Sequence, residues 1–560
     1  MTAPESAELD DLLGELRRRD VRLTVRAGQL DYDAPADALD PELLATMRRL
    51  KPALLDRLGR AGGPTATPGA TPAPAAPAPT VPAAPAPTVP AAPAPTVPAA
   101  PAPTATVTAG DGDGGGDWRV LATGPTSIGQ ARQYQITRET TFPQVLTVAF
   151  RLTLDGPLDR TALRRALTDL TVRQSALRTR LAVGEDGVWQ QVLAPRPVPL
   201  PVRTVPADDL DRAVDEWASI PFDLEREPAF RAALFQPDGP AGPDDHRHEL
   251  TIAIHHGFVD GWSVQPLLDD LAEFYRAAVT GRPAELPPLP GEFVDFCRWE
   301  AEYLSRPETR QMLREWVDGL PAGTVPLRLP TDRPRVPLTT DPGGVLHHTF
   351  PPDLVAAVTS YAVSRGATPY AVLAAAFTWL LHDLTGAPTV NLVASVANRT
   401  DPRYDRVVGV FAQAALLLVP VAGVASFDEL VQRTARVTWQ ALARQSVPSS
   451  VQIAALGEAF TNFPCRVYFD LLDMADPVLH LTGLAPAPAR DVVLAGSRGD
   501  LTWQLRPLPE GGMALLIEYA TNLFDVDTVA GWLGRYQRLL SGLLAAPDAP
   551  LPRDGAAGVA

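Results

Sequence analysis

The stretch Glu249-Leu-Thr-Ile-Ala-Ile-His255-His256-Gly257-Phe-Val-Asp260-Gly261-Trp262-Ser263 decides how this chain is read. The apolar run over 249–256 predicts a buried strand that ends in a loop, and a helical pattern over 264–279 follows. Adjacent side chains on an extended segment point to opposite faces. His255 and His256 therefore cannot serve one reaction centre equally: one faces a cavity and the other is structural. Gly257 and Gly261 bracket the loop, where a backbone takes unusual dihedrals or approaches a ligand closely. Ser263 is placed to cap the following helix, whose N-terminus carries partial positive charge beside the loop. A histidine of near-neutral pKa is the natural proton acceptor for an attacking amine or alcohol.

Working outward, residues 118–550 read as one globular body. Strand-like runs over 145–154, 249–256, 389–395 and 515–519 alternate with helical runs over 160–170, 264–279, 310–319, 352–365, 369–384, 427–444 and 526–544. This mixture predicts an α/β or α+β body. Its size exceeds one comfortable core, so two subdomains are expected, over 118–290 and 291–550, with a tail over 551–560. The other histidines carry less chemistry. His246 and His248 fall in the charged DDHRHE stretch, read as a surface turn, and His347 and His348 on a strand without a following Asp-Gly. No His/Cys/carboxylate cluster has zinc spacing. No Walker loop, helix-opening GxGxxG or GxSxG elbow is present. The apolar stretch over 407–427 is long enough to span a bilayer, but it holds Gln413, Pro420 and two glycines. It reads as buried strand and loop.

The first 117 residues differ in kind. Leu9, Leu12, Leu13 and Leu16 repeat at helical spacing, predicting a helix over 8–19. VRLTVR over 21–26 alternates in period two, and a turn over 27–29 with a second run over 30–32 completes a hairpin. Asp40-Pro41 starts a helix that runs to about residue 58. Over 61–117 an eight-residue unit, PAAPAPTV, repeats and a Gly-rich segment follows. Such a tract forms no core and reads as an extended polyproline-II spacer. The chain of 560 residues has a net charge of −16, which argues against nucleic acid or an anionic membrane as the main partner. Its two cysteines, Cys297 and Cys465, are too few for a disulfide scaffold. The acidic N-terminus lacks a signal-peptide pattern, so a cytoplasmic location is expected.

HHGFVDGWS resembles the HHxxxDG signature of the condensation domains of nonribosomal peptide synthetases, a superfamily shared with chloramphenicol acetyltransferase. Other segments follow in the family's order. TSIGQARQY over 126–134 resembles SxAQxRxW/Y, RQSALRTRL over 173–181 resembles RHExLRTxF, and FVDFCRW over 293–299 resembles YxDFAxW. VVGVFAQA over 407–414 resembles IGxFVNT, and DLTWQL and IEYATNLFD resemble the closing strands. The chain departs from the family at Gln174 and Ser175, where His and Glu are usual, and at GVFAQA. The resemblance implies two acetyltransferase-like subdomains in a V with a tunnel between them. It makes His256 the residue that positions or deprotonates the acceptor, with His255 packed behind it. Asp260 would form a structural ion pair with Arg173, and Gly261 would offer a backbone N–H to a developing oxyanion. Arg178, Trp262, Ser263 and Gln130 would line or support the tunnel.

The first 60 residues resemble the β-hairpin docking domains of the tubulysin-synthetase type, in which a C-terminal peptide of an upstream synthetase adds along the hairpin. Arg22, Leu23, Val25, Arg26 and Leu30 would form that docking strip. The resemblance implies a free-standing condensation enzyme. It would transfer an acyl or peptidyl thioester from a carrier to an amine or hydroxyl, chain release being one such use. No cofactor is expected to be bound; the substrates ride on phosphopantetheine arms of donor and acceptor carriers, or the acceptor is a free small molecule. Two other readings share the loop or the fold: an epimerisation domain and a non-catalytic recruitment domain.

Overall fold

The computed structural model describes residues 22–26, 29–33, 118–238, 247–335, 342–462, 466–492, 494, 496–497 and 499–552. The helices expected over 8–19 and 40–58, the repeat tract, His246, Cys465 and the end of the tail lie outside the described residues. Strands Arg22–Arg26 and Gln29–Asp33 pair antiparallel, Arg22 opposite Asp33 and Arg26 opposite Gln29. Gln29 thus belongs to the second strand rather than to the turn, because pairing with Arg26 extends the ladder by one residue.

In the body, a first sheet of six strands runs in the order Val478–Leu479, Ala487–Asp491, Thr147–Leu154, His248–His255, Phe230–Asp238, Val202–Pro206. His248–His255 is central, antiparallel to both neighbours and buried at every position. Burial on both faces explains why its sequence is a continuous apolar run rather than an alternation. His248 opens this strand, buried, and its ring lies 2.9 Å from Arg160 Nη2. The expected surface turn is therefore wrong at this residue: the strand begins earlier than its polar ends suggest. Helices Arg160–Arg173 and Val264–Thr280 pack together, placing Leu163, Leu167, Leu170, Leu267, Leu268 and Leu271 in one core with the sheet.

A second six-stranded sheet is ordered Gly343–Phe350, Met513–Ala520, Leu501–Pro507, Val467–Leu471, Thr389–Val396, Gln413–Pro420. Its core wraps helix Pro369–Thr385, in which Ala371 to Leu381 are all buried. Phe377 stacks at 4.7 Å from both Phe469 and Trp503, whose ring meets Tyr536 at 5.0 Å. The ambiguous stretch over 407–427 supplies the edge strand Gln413–Pro420, and among the described residues no helix is long and apolar enough to cross a membrane. A third, three-stranded sheet joins Val120–Pro125, Gly187–Leu193 and Thr179–Gly184. The two large sheets share chain: Ala487–Asp491 follows four strands of the second sheet in sequence yet pairs with Thr147–Leu154, Ala489 opposite Leu152.

Candidate functional site

Strand His248–His255 delivers the two histidines at its end. His255 lies opposite Thr147, and the His256 backbone N–H donates to Leu146 O at 2.7 Å. The His255 ring is buried between Phe222 and Phe258, edge-on to each at 6.4 Å. Its Nδ1 accepts the Gly257 N–H at 3.0 Å, so its proton sits on Nε2, 2.9 Å from Thr137 Oγ1. The Thr137 hydroxyl in turn donates to Gln133 O. Burial, with a smaller contribution from the neighbouring His256, pushes the His255 pKa down to about 3, so this ring stays neutral. His256 is half-buried, and its Nδ1 lies 3.0 Å from Val259 O. A carbonyl can only accept, so His256 carries a proton on Nδ1, and in the neutral ring the lone pair is then on Nε2.

Asp260 closes the loop by holding it to the segment over 399–412. Oδ1 accepts from Ser263 N at 2.9 Å, Ser263 Oγ at 2.7 Å and Arg399 Nη2 at 3.1 Å. Oδ2 accepts from Phe411 N at 2.9 Å and Ala412 N at 3.0 Å. Arg399 is as buried as its partner, side chains 2% and 1% exposed. It also donates to Tyr404 O and Val407 O and lies 4.2 Å over the Phe411 ring. The expected pairing of Asp260 with Arg173 is thus corrected. Arg173 Nε donates to Asp270 Oδ2 at 2.8 Å, because helices Arg160–Arg173 and Val264–Thr280 lie side by side and bring those residues together. The capping expectation is corrected as well: Ser263 sits at the N-cap of helix Val264–Thr280 but its hydroxyl makes no capping hydrogen bond, whereas the Asp260 carboxylate caps the preceding turn by accepting from Ser263 N. Ser263 Oγ instead receives from Arg399 at 2.8 Å and from Gly409 N at 3.2 Å.

The remaining candidates fall around this clasp. Gln130, fully buried on helix Ile128–Glu139, donates through Nε2 to Gly257 O at 3.0 Å, so one helix holds the loop at both Gly257 and His255. Arg178 donates to Thr171 O and Leu193 O, tying helix to strand, and burial lowers its pKa. Trp262 is exposed. Gly261 opens a short 3-10 turn, and a Cβ there would meet nothing within 4 Å. Its smallness is therefore not demanded by the protein's own packing; open space lies over it. Gly409 is the opposite case, since a Cβ there would come within 2.4 Å of the Phe293 ring. Gln174, at a position where the resemblance expects His, donates to Asp270 and to Arg406 O and accepts from Val408 N at 2.9 Å. Arg399 and Thr137 went unnoticed in the sequence, and Phe411 and Ala412 were read only as part of the segment 407–414. The backbone donors have no side-chain signal, and Arg399 stands in NRTDPR, one of several Arg-rich loops.

The family described as Condensation domain matches residues 122–458, and the TubC N-terminal docking domain matches residues 9–58. The chain belongs to the condensation-domain family of nonribosomal peptide biosynthesis. It carries a TubC-type docking domain ahead of that body. The isonitrile lipopeptide synthase of Mycobacterium tuberculosis is 32% identical over 76% of this chain and 17% of its own length. The phosphinothricin tripeptide synthetase PhsB of Streptomyces viridochromogenes is 31% identical over 77% of this chain and 36% of its own. The condensation chain thus spans well under half of these curated relatives. Among solved structures, the X-domain bound to OxyB from teicoplanin biosynthesis superposes with a TM-score of 0.68 at 23% identity, covering 76% of this chain and 94% of that one. SgcC5 of Streptomyces globisporus gives a TM-score of 0.64 at 25% identity over 76% of this chain and all of its own. These likenesses match the expected acetyltransferase-like α/β architecture.

Proposed function

We infer that this chain catalyses condensation: acyl transfer from a carrier-bound phosphopantetheine thioester to an amine or hydroxyl acceptor. The observation that carries the reading is the division of labour in the loop. His256 holds its lone pair on Nε2, while Asp260 is surrounded by five donors and His255 is held neutral in the core. Of these three side chains, His256 is then the one arranged to accept a proton. As the acceptor nitrogen or oxygen attacks the thioester carbonyl carbon, its proton passes to His256 Nε2. The carbonyl oxygen gains negative charge in the open space over Gly261, whose backbone N–H is suited to stabilise it. Collapse breaks the C–S bond, and the leaving thiolate takes the proton from His256. The intact loop favours this reading over a recruitment role.

The same reading places the body as two subdomains over 118–290 and 291–550 around a tunnel entered by donor and acceptor arms, and the working place in the cytoplasm. The hairpin, with Arg22, Leu23, Val25, Arg26 and Leu30, receives the C-terminal peptide of an upstream synthetase along an open edge. The test is turnover of an acyl-loaded carrier with a panel of amines and alcohols, followed by mass spectrometry. His256→Ala is expected to lose at least about 100-fold in kcat while melting as the wild type does. Unchanged turnover by His256→Ala overturns the catalytic assignment.

A further inference from the structure

Glu300 lies on helix Phe293–Ser305, is 2% exposed, and plays no part in the chemistry above. Its Oε2 accepts the backbone N–H of Ile128 at 2.7 Å. Its Oε1 lies 3.4 Å from Nε2 of Gln413, itself buried. These two contacts reach two different holders of the catalytic loop. Ile128 is the first residue of the helix whose Gln130 grips Gly257 and whose Thr137 meets His255. Gln413 directly follows Phe411 and Ala412, whose N–H groups grip Asp260. One carboxyl therefore bridges the segment that holds the start of the loop and the segment that holds its end.

The surroundings are neutral. Among the described residues no ion pair reaches Glu300. The nearby Cys297 on its own helix is a buried thiol whose pKa burial pushes well up, and its sulfur accepts from Gln190 of the neighbouring strand. Arg298 and Asp295 pair with each other on the exposed side of the helix. Helix Ile128–Glu139 presents Ile128, Gly129 and Gln130 at this end, and the strand that starts at Gln413 presents its carboxamide. A carboxyl buried without a counter-charge resists ionisation, and burial raises the Glu300 pKa to about 7.

We propose that Glu300 is a positioning residue of the condensation site, joining helix Ile128–Glu139 to Gln413 and so fixing the loop from both sides. In its acid form the carbonyl oxygen accepts from Ile128 N–H, and the Gln413 carboxamide turns so that the hydroxyl donates to its oxygen. In the ionised form Oε1 takes the Gln413 NH2 in the orientation observed, and the bridge carries an uncompensated charge. A glutamine at 300 reproduces the acid form: its oxygen accepts from Ile128 and its NH2 donates to Gln413.

The proposal rests on the condensation reading, and the experiment separates the two. Wild type, Glu300→Gln and Glu300→Ala are compared for kcat and KM with a loaded carrier from pH 5.5 to 8.5, and for melting temperature over the same range. Wild type and E300Q are expected to share the same kcat at pH 6 and to diverge threefold or more above pH 7. From pH 5.5 to about 7 the wild-type melting temperature falls relative to E300Q, and above that the difference levels off. The sign follows from a carboxyl whose folded pKa is raised: its stabilising protonation is lost as pH rises through about 7. E300A is expected to lose at least tenfold in kcat at pH 6, with E300Q restoring it. Superimposable pH profiles of kcat and melting for wild type and E300Q overturn the positioning role alone, as does full kcat in E300A. A wild type that turns over no carrier thioester overturns the condensation reading, and the positioning role with it, whatever the melting curves show.

Discussion

Removing Arg399 tests the architecture of the loop most directly. The perturbation is Arg399→Ala, chosen because this guanidinium and the Asp260 carboxylate are both almost wholly excluded from water. Without Arg399, Asp260 keeps four donors, Ser263 N and Oγ with Phe411 N and Ala412 N, but loses its counter-charge. Breaking one side of a buried pair costs about 3–5 kcal/mol, because the remaining charge stays buried. Two carbonyls, Tyr404 O and Val407 O, lose their donor as well, at about 1 kcal/mol each where water does not replace it. The expected loss is therefore about 5 kcal/mol, a third or more of a typical folding stability. The assay is urea denaturation of four chains: wild type, Arg399→Ala, Asp260→Ala and the double variant. The double variant should be at least about 2 kcal/mol more stable than the sum of the singles predicts. A parallel cycle of Asp260→Ala with Arg173→Ala should be additive within about 0.5 kcal/mol, since Arg173 serves Asp270. Coupling to Arg173 instead, or Arg399→Ala melting like the wild type, refutes the assignment.

His255 predicts an acid-side loss of stability. Its folded pKa is depressed to about 3, so between pH 6.5 and 3 the unfolded chain takes up a proton that the fold refuses. Stability should fall by about 1.4 kcal/mol per pH unit in that window, and His255→Gln should remove this component. Parallel stability curves for the two chains below pH 6.5 would count against the neutral, buried ring. The docking reading predicts that the full chain binds C-terminal peptides of partner synthetases with a micromolar Kd, about −8 kcal/mol, weakening with salt. A chain lacking residues 1–60 should not bind them, and should turn over carrier-delivered donors more slowly while using a small soluble thioester unchanged. Equal peptide binding by the shortened chain would remove the docking role.

The loop itself was legible because its strand is buried on both faces. The sequence ELTIAI has no polar alternation to blur it, and the run stops at His255-His256 with glycines on either side of the turn. The helices Arg160–Arg173, Val264–Thr280 and Pro369–Thr385 were legible for a related reason, as long runs with glycine or a polar residue at their ends. The partner of Asp260 was not legible, although a partner was required. A carboxylate that stays ionised in the core calls for a cation, yet that rule does not say which of many arginines supplies it. Among the acidic side chains this body buries, Asp260 and Asp270 stand ten positions apart and each meets an arginine. Local packing assigns Arg173 to Asp270, since the two sit on adjacent helices, and Arg406 comes within 3.1 Å of the same carboxylate. Asp260 is thereby left to Arg399, 139 residues away, which reaches it only because the segment 398–412 folds back over the loop. Gln174 shows why that segment stays there. Its carboxamide spans from Asp270 to the backbone of Arg406 and Val408, linking the two carboxylate sites into one seam. The loop that carries the histidines is held both by helix Ile128–Glu139, through Gln130 and Thr137, and by Arg399, Phe411 and Ala412. The position of Asp260 therefore depends on residues more than 130 positions further along the chain.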